Sequence, residues 1–338
     1  MRRNILIARL SAIGDTIHSL PLANALKQRW PDCRIGWVVE QPSAALIVGN
    51  PLIDWHHVLP KGWLKSPKRV LALRRTLRQQ NFDTALDPQG LTKSAFAARL
   101  SGAKIRIGFT RGESRELAPL LDNTLVAPQG VHAVDMTLSL LAALDFPMPQ
   151  AAKFVFPPCS PEDAAAIDAF LAEPERADGF VLMGPWGSFA AKLWPLDRFL
   201  ELARRLKTET GLPSIMLGHG AGERTAAQNL AAQSDGALAL APDLSLTGVA
   251  TLARRARLFV GCDSFPMHAA AGVGCPTLGL FGVTDPLRLG PYGPNGSVVY
   301  HDITLVKSTR ERRRLGPDNL LALSTDRVAQ ACLDRLKM

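Results

Sequence analysis

Residues 258–288 read LFVGCDSFPMHAAAGVGCPTLGLFGVTDPLR, and the order of physical properties along them decides the fold class. Leu258 to Gly261 is an apolar run, as suits a strand buried on both faces of a parallel sheet. Cys262-Asp263-Ser264 breaks that run, and the alanine-rich segment after it reads as a short helix. A second apolar strand, Pro276 to Phe281, ends in another polar turn, Gly282-Val283-Thr284-Asp285-Pro286. The first backbone N–H groups of such a helix lack internal partners and face outward with the positive end of the helix dipole, which suits a phosphate. Asp263 and Ser264 serve either as helix caps or as groups that orient a ligand. His268, about one and a half turns on, is either a satisfied semi-buried imidazole or part of the same site. Position alone leaves both readings open.

The same strand, polar turn and helix recur along the chain. Asn4 to Ala8 is a strand, and Arg9 to Asp15 is the loop that turns it into a helix running towards Trp30, followed by a strand from Arg34 to Val39. Phe82 to Asp87 leads into Pro88-Gln89-Gly90-Leu91-Thr92-Lys93-Ser94 and a helix through Leu100, and Ile105 to Phe109 is another strand. After prolines 147, 149, 157, 158 and 161 the series begins again. Phe180 to Met183 precedes Gly184 to Pro195 and a helix at Leu196 to Thr208; Ser214 to Leu217 precedes the glycine-rich turn Gly218 to Arg224. Open α/β sheets place ligands at the carboxyl ends of their strands, so these turns are the candidate sites. Asp15 is then a helix N-cap or an ionised base, and Lys192 a surface lysine or a charge for an anion. Lys61, Lys65, Lys68 and Arg69, around Pro67, form a solvated face or a contact for acidic groups. Arg111 to Glu116 is a mutual salt-bridge network or part of a binding loop.

Bulk properties exclude several classes. The 338 residues suffice for two domains, with 47% hydrophobic and 20% charged residues. No apolar run approaches the roughly 18 residues needed to span a bilayer. The start MRRNILIARLSAIGD is interrupted by Arg9 and has no small-residue cleavage site, so it reads as a first strand and the protein is expected in the cytosol. Five scattered cysteines without a Cys-x-x-Cys spacing argue for reduced thiols, against both a zinc site and a disulfide framework. A net charge of +9 suits an anionic partner. Nucleic acid is disfavoured by the 6% aromatic content and the lack of a recognition motif in the basic stretches. A dinucleotide dehydrogenase is disfavoured because no Gly-x-Gly-x-x-Gly follows the first strand.

Five of these segments resemble the motifs of glycosyltransferase family 9, the ADP-heptose:lipopolysaccharide heptosyltransferases: LSAIGDTIHSLP, DPQGLTKSA, TRGESRE, AKLWP, and DSFPMHAAA with GCPTLGLFGVTDP. The resemblance covers nearly the whole chain. It implies a GT-B architecture: two Rossmann-like α/β domains with parallel sheets facing a central cleft. The expected boundaries are an acceptor-side domain at 1–155, a linker at 156–178, a donor domain at 179–320, and a C-terminal helix at 321–338 packing back on the first domain. The implied reaction is inverting transfer of a heptose from ADP-L-glycero-β-D-manno-heptose to the Kdo region of a lipid A acceptor. Asp15 would be the catalytic base and Lys192 would neutralise the departing diphosphate. Ser188, Lys192, Glu223, Asp263, Ser264, Phe265 and His268 would hold the donor. Ser11, Gly14, His18, Lys61, Lys65, Gln89, Lys93 and Arg115 would face the acceptor. Asp-x-Asp, the usual glycosyltransferase device for chelating a metal, is absent from the chain, so no metal and no cofactor are expected. The location implied is the cytoplasmic face of the inner membrane, with transient contact to its surface. Phe265 and Val283 depart from the family's usual Gly and Pro. Another donor sugar, a sugar-nucleotide epimerase of the same fold, and a nucleotide-sugar-binding protein without transferase activity are the rival readings.

Overall fold

The computed structural model describes residues 3–306 and 309–337. The chain forms two compact units, Met1–Pro158 and Cys159–Met338. In the first, six strands form a wholly parallel sheet: β1 (Asn4–Ala8), β2 (Arg34–Glu40), β3 (Trp55–Leu59), β4 (Thr84–Leu86), β5 (Ile105–Phe109) and β6 (Thr124–Val126). Its spatial order is β3-β2-β1-β4-β5-β6. The helices are α1 (Ile13–Arg29), α2 (Pro67–Arg78), α3 (Thr92–Leu100), α4 (Ala118–Leu121) and α5 (Ala133–Leu138). Successive crossovers put α2 and α3 against one face of the sheet, where Leu73, Leu77, Ala97 and Ala98 pack on Leu6, Ala8 and Ala85.

The second unit repeats the plan. Its helices are α6 (Pro161–Leu171), α7 (Leu196–Thr210), α8 (Gly220–Ala232), α9 (Leu246–Arg254), α10 (Phe265–Gly272), α11 (Pro286–Leu289), α12 (Thr309–Arg312), α13 (Asp318–Leu321) and α14 (Thr325–Leu336). Its strands are β7 (Val181–Gly184), β8 (Ser214–Met216), β9 (Leu238–Leu240), β10 (Leu258–Cys262), β11 (Thr277–Leu280) and β12 (Gly296–Val299). They are all parallel, in the order β9-β8-β7-β10-β11-β12. Both sheets therefore show the 3-2-1-4-5-6 arrangement of the doubly wound fold, whose order reverses between the first and fourth strands. β10 is buried along its whole length, which explains its unbroken apolar sequence. At the reversal β7 and β10 lie so close that a Cβ on Gly261 would come within 2.4 Å of the Gly184 carbonyl oxygen.

Two of the expected boundaries move. The expected linker contains α6, which belongs to the second unit. Ile167 is buried there with Phe180, Leu252 and Phe259, and the Asp163 carboxylate accepts hydrogen bonds from Ser245. The final helix, expected on the first domain, packs its apolar face within the second unit. Val328, Ala329, Cys332 and Leu333 of α14 enter the second unit's core beside Phe199 and Leu202 of α7. With α7, α14 thus covers one face of the second sheet.

Candidate active site

In the second unit the turns after β7 and β10 meet at the reversal of strand order. The AKLWP turn is anchored by Trp194, a buried ring packed edge-on to Phe199 at 4.8 Å, whose Nε1–H donates to Leu323 O at 2.9 Å. That anchor fixes Lys192, whose side chain is 15% exposed and whose Nζ lies 2.6 Å from Asp263 Oδ2 and donates to Asp263 O at 3.2 Å. His268 Nε2 stands 3.4 Å from Asp263 Oδ1, and Thr284 Oγ1 donates to Asp263 Oδ2 at 2.7 Å. The Asp263 side chain is only 4% exposed. Burial alone would raise its pKa, but the hydrogen bond to His268 and the Lys192 ammonium outweigh burial and hold the carboxyl well below the usual carboxylate range. An ammonium has three N–H donors, and Asp263 engages two. Among the described residues no hydrogen bond takes the third, and the ammonium lies 5.3 Å from the Phe189 ring centroid.

Ser264 is the N-cap of α10 by backbone, and its hydroxyl donates to Cys262 O at 3.3 Å. Phe265 starts the helix and has no positive φ, so its position does not require the backbone freedom of glycine. Ser264, Phe265 and Pro266 wall a cavity of about 250 Å³ whose other sides include Trp186, Gly187, Gly218, Glu223, Pro242 and Leu246. Apolar walls with a few polar groups at one end suit a heteroaromatic ring carrying polar substituents. Glu223 lines this cavity while its Oε2 accepts the His219 N–H at 2.9 Å, so it also caps the start of α8. Ser188 is exposed on the turn between Gly187 and Lys192.

In the first unit the corresponding turns follow β1 and β4. Asp15 is not the N-cap of α1. Ala12 holds that place, and Asp15, at the third helical position, accepts the Ala12 N–H at 3.3 Å. Its Oδ2 also pairs with Arg9 Nη2 at 3.0 Å, and its side chain remains 44% exposed. Gln89 Oε1 accepts the Leu10 N–H at 2.8 Å, and Lys93 Nζ reaches both Ser11 Oγ at 2.9 Å and Glu40 Oε2 at 2.8 Å. Gln89 and Lys93 thus hold the loop that carries Ser11, Gly14 and Asp15. His18 lies elsewhere: it is buried where α1 packs on α5, with its ring 5.5 Å from that of His132. Lys61 and Lys65 are exposed at the start of the basic stretch. Arg115 is exposed as well, and its N–H donates to Gly90 O at 2.8 Å. The TRGESRE loop is held by that contact and by Glu116 Oε2 accepting from Thr92 N.

Three residues of the candidate site escaped the sequence reading. Thr284 was visible only as part of a polar turn, and its bond to Asp263 depends on pairing β10 with β11. Arg9 and Glu40 each stand at the end of a strand, where the only signal was a charged residue next to an apolar run.

The model of glycosyltransferase family 9 (heptosyltransferase) matches residues 70–317. Lipopolysaccharide heptosyltransferase 1 of Pseudomonas aeruginosa is 31% identical over 303 residues, covering 86% of this chain and 81% of the relative. The protein of the same name from Escherichia coli K12 is 30% identical over 312 residues, covering 87% and 92%. Among solved structures, the E. coli heptosyltransferase WaaC with ADP superposes with a TM-score of 0.77 at 26% identity, covering 98% of this chain and 99% of that one. A family match over most of the length, the doubled GT-B topology and the matching strand-end turns agree, and the chain belongs to glycosyltransferase family 9, the heptosyltransferases.

Proposed function

We propose that this glycosyltransferase moves a heptose from ADP-L-glycero-β-D-manno-heptose to the Kdo region of a lipid A acceptor, inverting the anomeric carbon. Asp15 accepts the proton of the attacking hydroxyl through its exposed carboxylate edge as the new glycosidic bond forms. The bond from the anomeric carbon to the diphosphate breaks, and the developing negative charge on ADP is met by Lys192 and by N–H groups at the start of α10. Asp263, with His268 and Thr284, keeps the ammonium aimed. The cavity beside Phe265 takes the adenine and Glu223 a ribose hydroxyl. Ser188 contacts the donor on the Lys192 turn, and Ser11, Gly14 and Arg115 meet the acceptor. His18 acts only through the packing of α1.

The observation that carries this reading is the Lys192–Asp263 pair, a largely buried ammonium on a side chain whose Cβ lies 3.0 Å from where a Cβ on Gly187 would stand, Gly187 being one wall of the cavity of about 250 Å³. Among the described residues no helix is long and apolar enough to cross a membrane. We place the reaction at the cytoplasmic face of the inner membrane, where Lys61, Lys65, Lys68 and Arg69, with the exposed Leu64 and Leu71, meet anionic lipid or the acidic acceptor. Turnover measured with ADP-, UDP- and GDP-sugars against Kdo-lipid A tests the reaction. ADP-heptose should be the preferred donor, and Asp15→Ala should bind it while transferring no sugar. Equal turnover of a UDP- or GDP-sugar, or an active Asp15→Ala variant, would refute the assignment.

A further inference from the structure

Arg9 is a charged residue placed where a charge is costly. Its side chain is 10% exposed, directly after a strand whose last four residues are buried. Two contacts compensate, and they face different elements. Nη1 donates to the Pro88 carbonyl oxygen at 2.7 Å, in the turn after β4, and Nη2 pairs with Asp15 Oδ2 at 3.0 Å, in the first turn of α1. The guanidinium therefore bridges the two strand-end turns on either side of the reversal in the first sheet. The Pro88 end is rigid. The Asp87 carboxylate accepts N–H bonds from Gln89 and Gly90, both 3.1 Å, and Gln89 in turn accepts from Leu10. The Arg9 backbone is pinned as well, since its carbonyl accepts the Trp37 Nε1–H at 3.1 Å.

Resting on the transferase reading of Asp15, we infer that Arg9 is a positioning residue that fixes the orientation of the Asp15 carboxylate. Asp15 Oδ2 is taken by Arg9 and by the Ala12 N–H. Among the described residues its other oxygen carries no such bond, and it is the one presented to the acceptor hydroxyl. A carboxylate on an exposed helix turn would otherwise sample several rotamers, and a base must lie within hydrogen-bond reach of the proton it removes. The planar fork of arginine holds one oxygen at one end and a backbone carbonyl at the other. Lysine, with a single nitrogen, keeps the charge but cannot span both in the same way.

The test is steady-state transfer by the full chain with Arg9→Met and Arg9→Lys. Misplacing a catalytic group by about 1 Å costs on the order of 100-fold. Arg9→Met should lower kcat by about that factor while leaving KM for both substrates within about twofold, and Arg9→Lys should recover part of the loss. In an Asp15→Asn background, Arg9→Met should cause no further loss of residual transfer. A merely structural role predicts the opposite pattern: raised KM, no recovery with lysine, and an added loss in the Asp15→Asn background. Any of these overturns the inference, as does an Arg9→Met variant with wild-type kcat. A crystal structure of Arg9→Met decides the matter even if the wild type fails to transfer heptose, a failure that would count against the proposed function alone. Asp15 should leave its wild-type rotamer while Gln89 still accepts from Leu10, and an unmoved Asp15 carboxylate refutes the inference.

Discussion

Replacing Asp122 by Asn should change how the stability of the first unit depends on pH. Asp122 ends α4 and is 5% exposed; among the described residues neither carboxylate oxygen has a hydrogen-bond partner, and Oδ2 would sit 2.1 Å from a Cβ placed on Gly108. Burial, then the neighbouring Asp87 carboxylate, push its pKa up to about 8 against the opposing pull of Arg106. Burial pushes Asp87 up to about 6, against hydrogen bonds that include those from Gly90 and Gln89, and its Oδ2 is likewise unpartnered. Of the two, Asp122 is the carboxyl that keeps its proton to the higher pH. A carboxyl whose pKa is raised on folding gives its full stabilisation below the ordinary value near 3.8, and loses it as pH climbs through the folded value. Between pH 6 and 8 the folded chain keeps one proton that the unfolded chain has released, so stability falls by about 1.4 kcal/mol per pH unit, or about 3 kcal/mol over the interval. The amide introduced by Asp122→Asn would not ionise and could donate an N–H to Asp87. Urea unfolding of wild type and Asp122→Asn at pH 6 and pH 8, followed by far-UV circular dichroism, measures the difference. The variant should gain on the wild type by up to about 3 kcal/mol on going to pH 8. The same stability difference at both pH values would refute the proton held by Asp122.

Further outcomes follow from the second unit. Lys192→Gln should cut kcat by about 100- to 1,000-fold, the usual cost of removing one donor to developing negative charge; loss confined to KM would contradict its role at the leaving group. Asp263→Asn strips a largely buried ammonium of its counter-ion and should destabilise the protein by about 3–5 kcal/mol at neutral pH, read by urea titration. Because the Asp263 carboxyl is held below its ordinary value of 3.8, this stabilisation is present above about pH 4 and fades as pH falls further; a gap between variant and wild type that widens on acidification would contradict the pairing. Iodoacetamide at pH 8 should label only Cys159 in the native protein. Cys33 and Cys332 are buried, and burial pushes the Cys262 and Cys275 thiols up to about 12, so two equivalents of label would contradict the packing. Transfer should persist in EDTA, since Lys192 supplies the positive charge at the diphosphate; complete loss of turnover would contradict this.

The buried central strands were legible because their sequences are apolar without interruption and end in polar turns. β1, β7, β10 and β11 all obey that rule. β3, Trp55-His56-His57-Val58-Leu59, does not: as an edge strand it pairs only with β2, only Leu59 is fully buried, and two histidines break the pattern. β12, Gly296-Ser297-Val298-Val299, hides for the same reason. Within the site, each turn was visible where strand met helix, and so were Asp15, Lys192, Asp263 and His268. Their partners were not. Arg9 meets Pro88 and Gln89 meets Leu10 across 79 residues each, and Lys93 meets Glu40 across 53. Such pairings depend on strand order, which local periodicity does not encode. His18 misled for the related reason that one helical turn from Asp15 points to a neighbouring helix and not to the loop.

The repeated strand order has a consequence for how the enzyme can change. Each half suspends its reactive turns from its own first and fourth strands, and each turn is braced by residues of the same half. A substitution in one half's braces therefore leaves the other half's turns on their own supports, so the two can be altered one at a time.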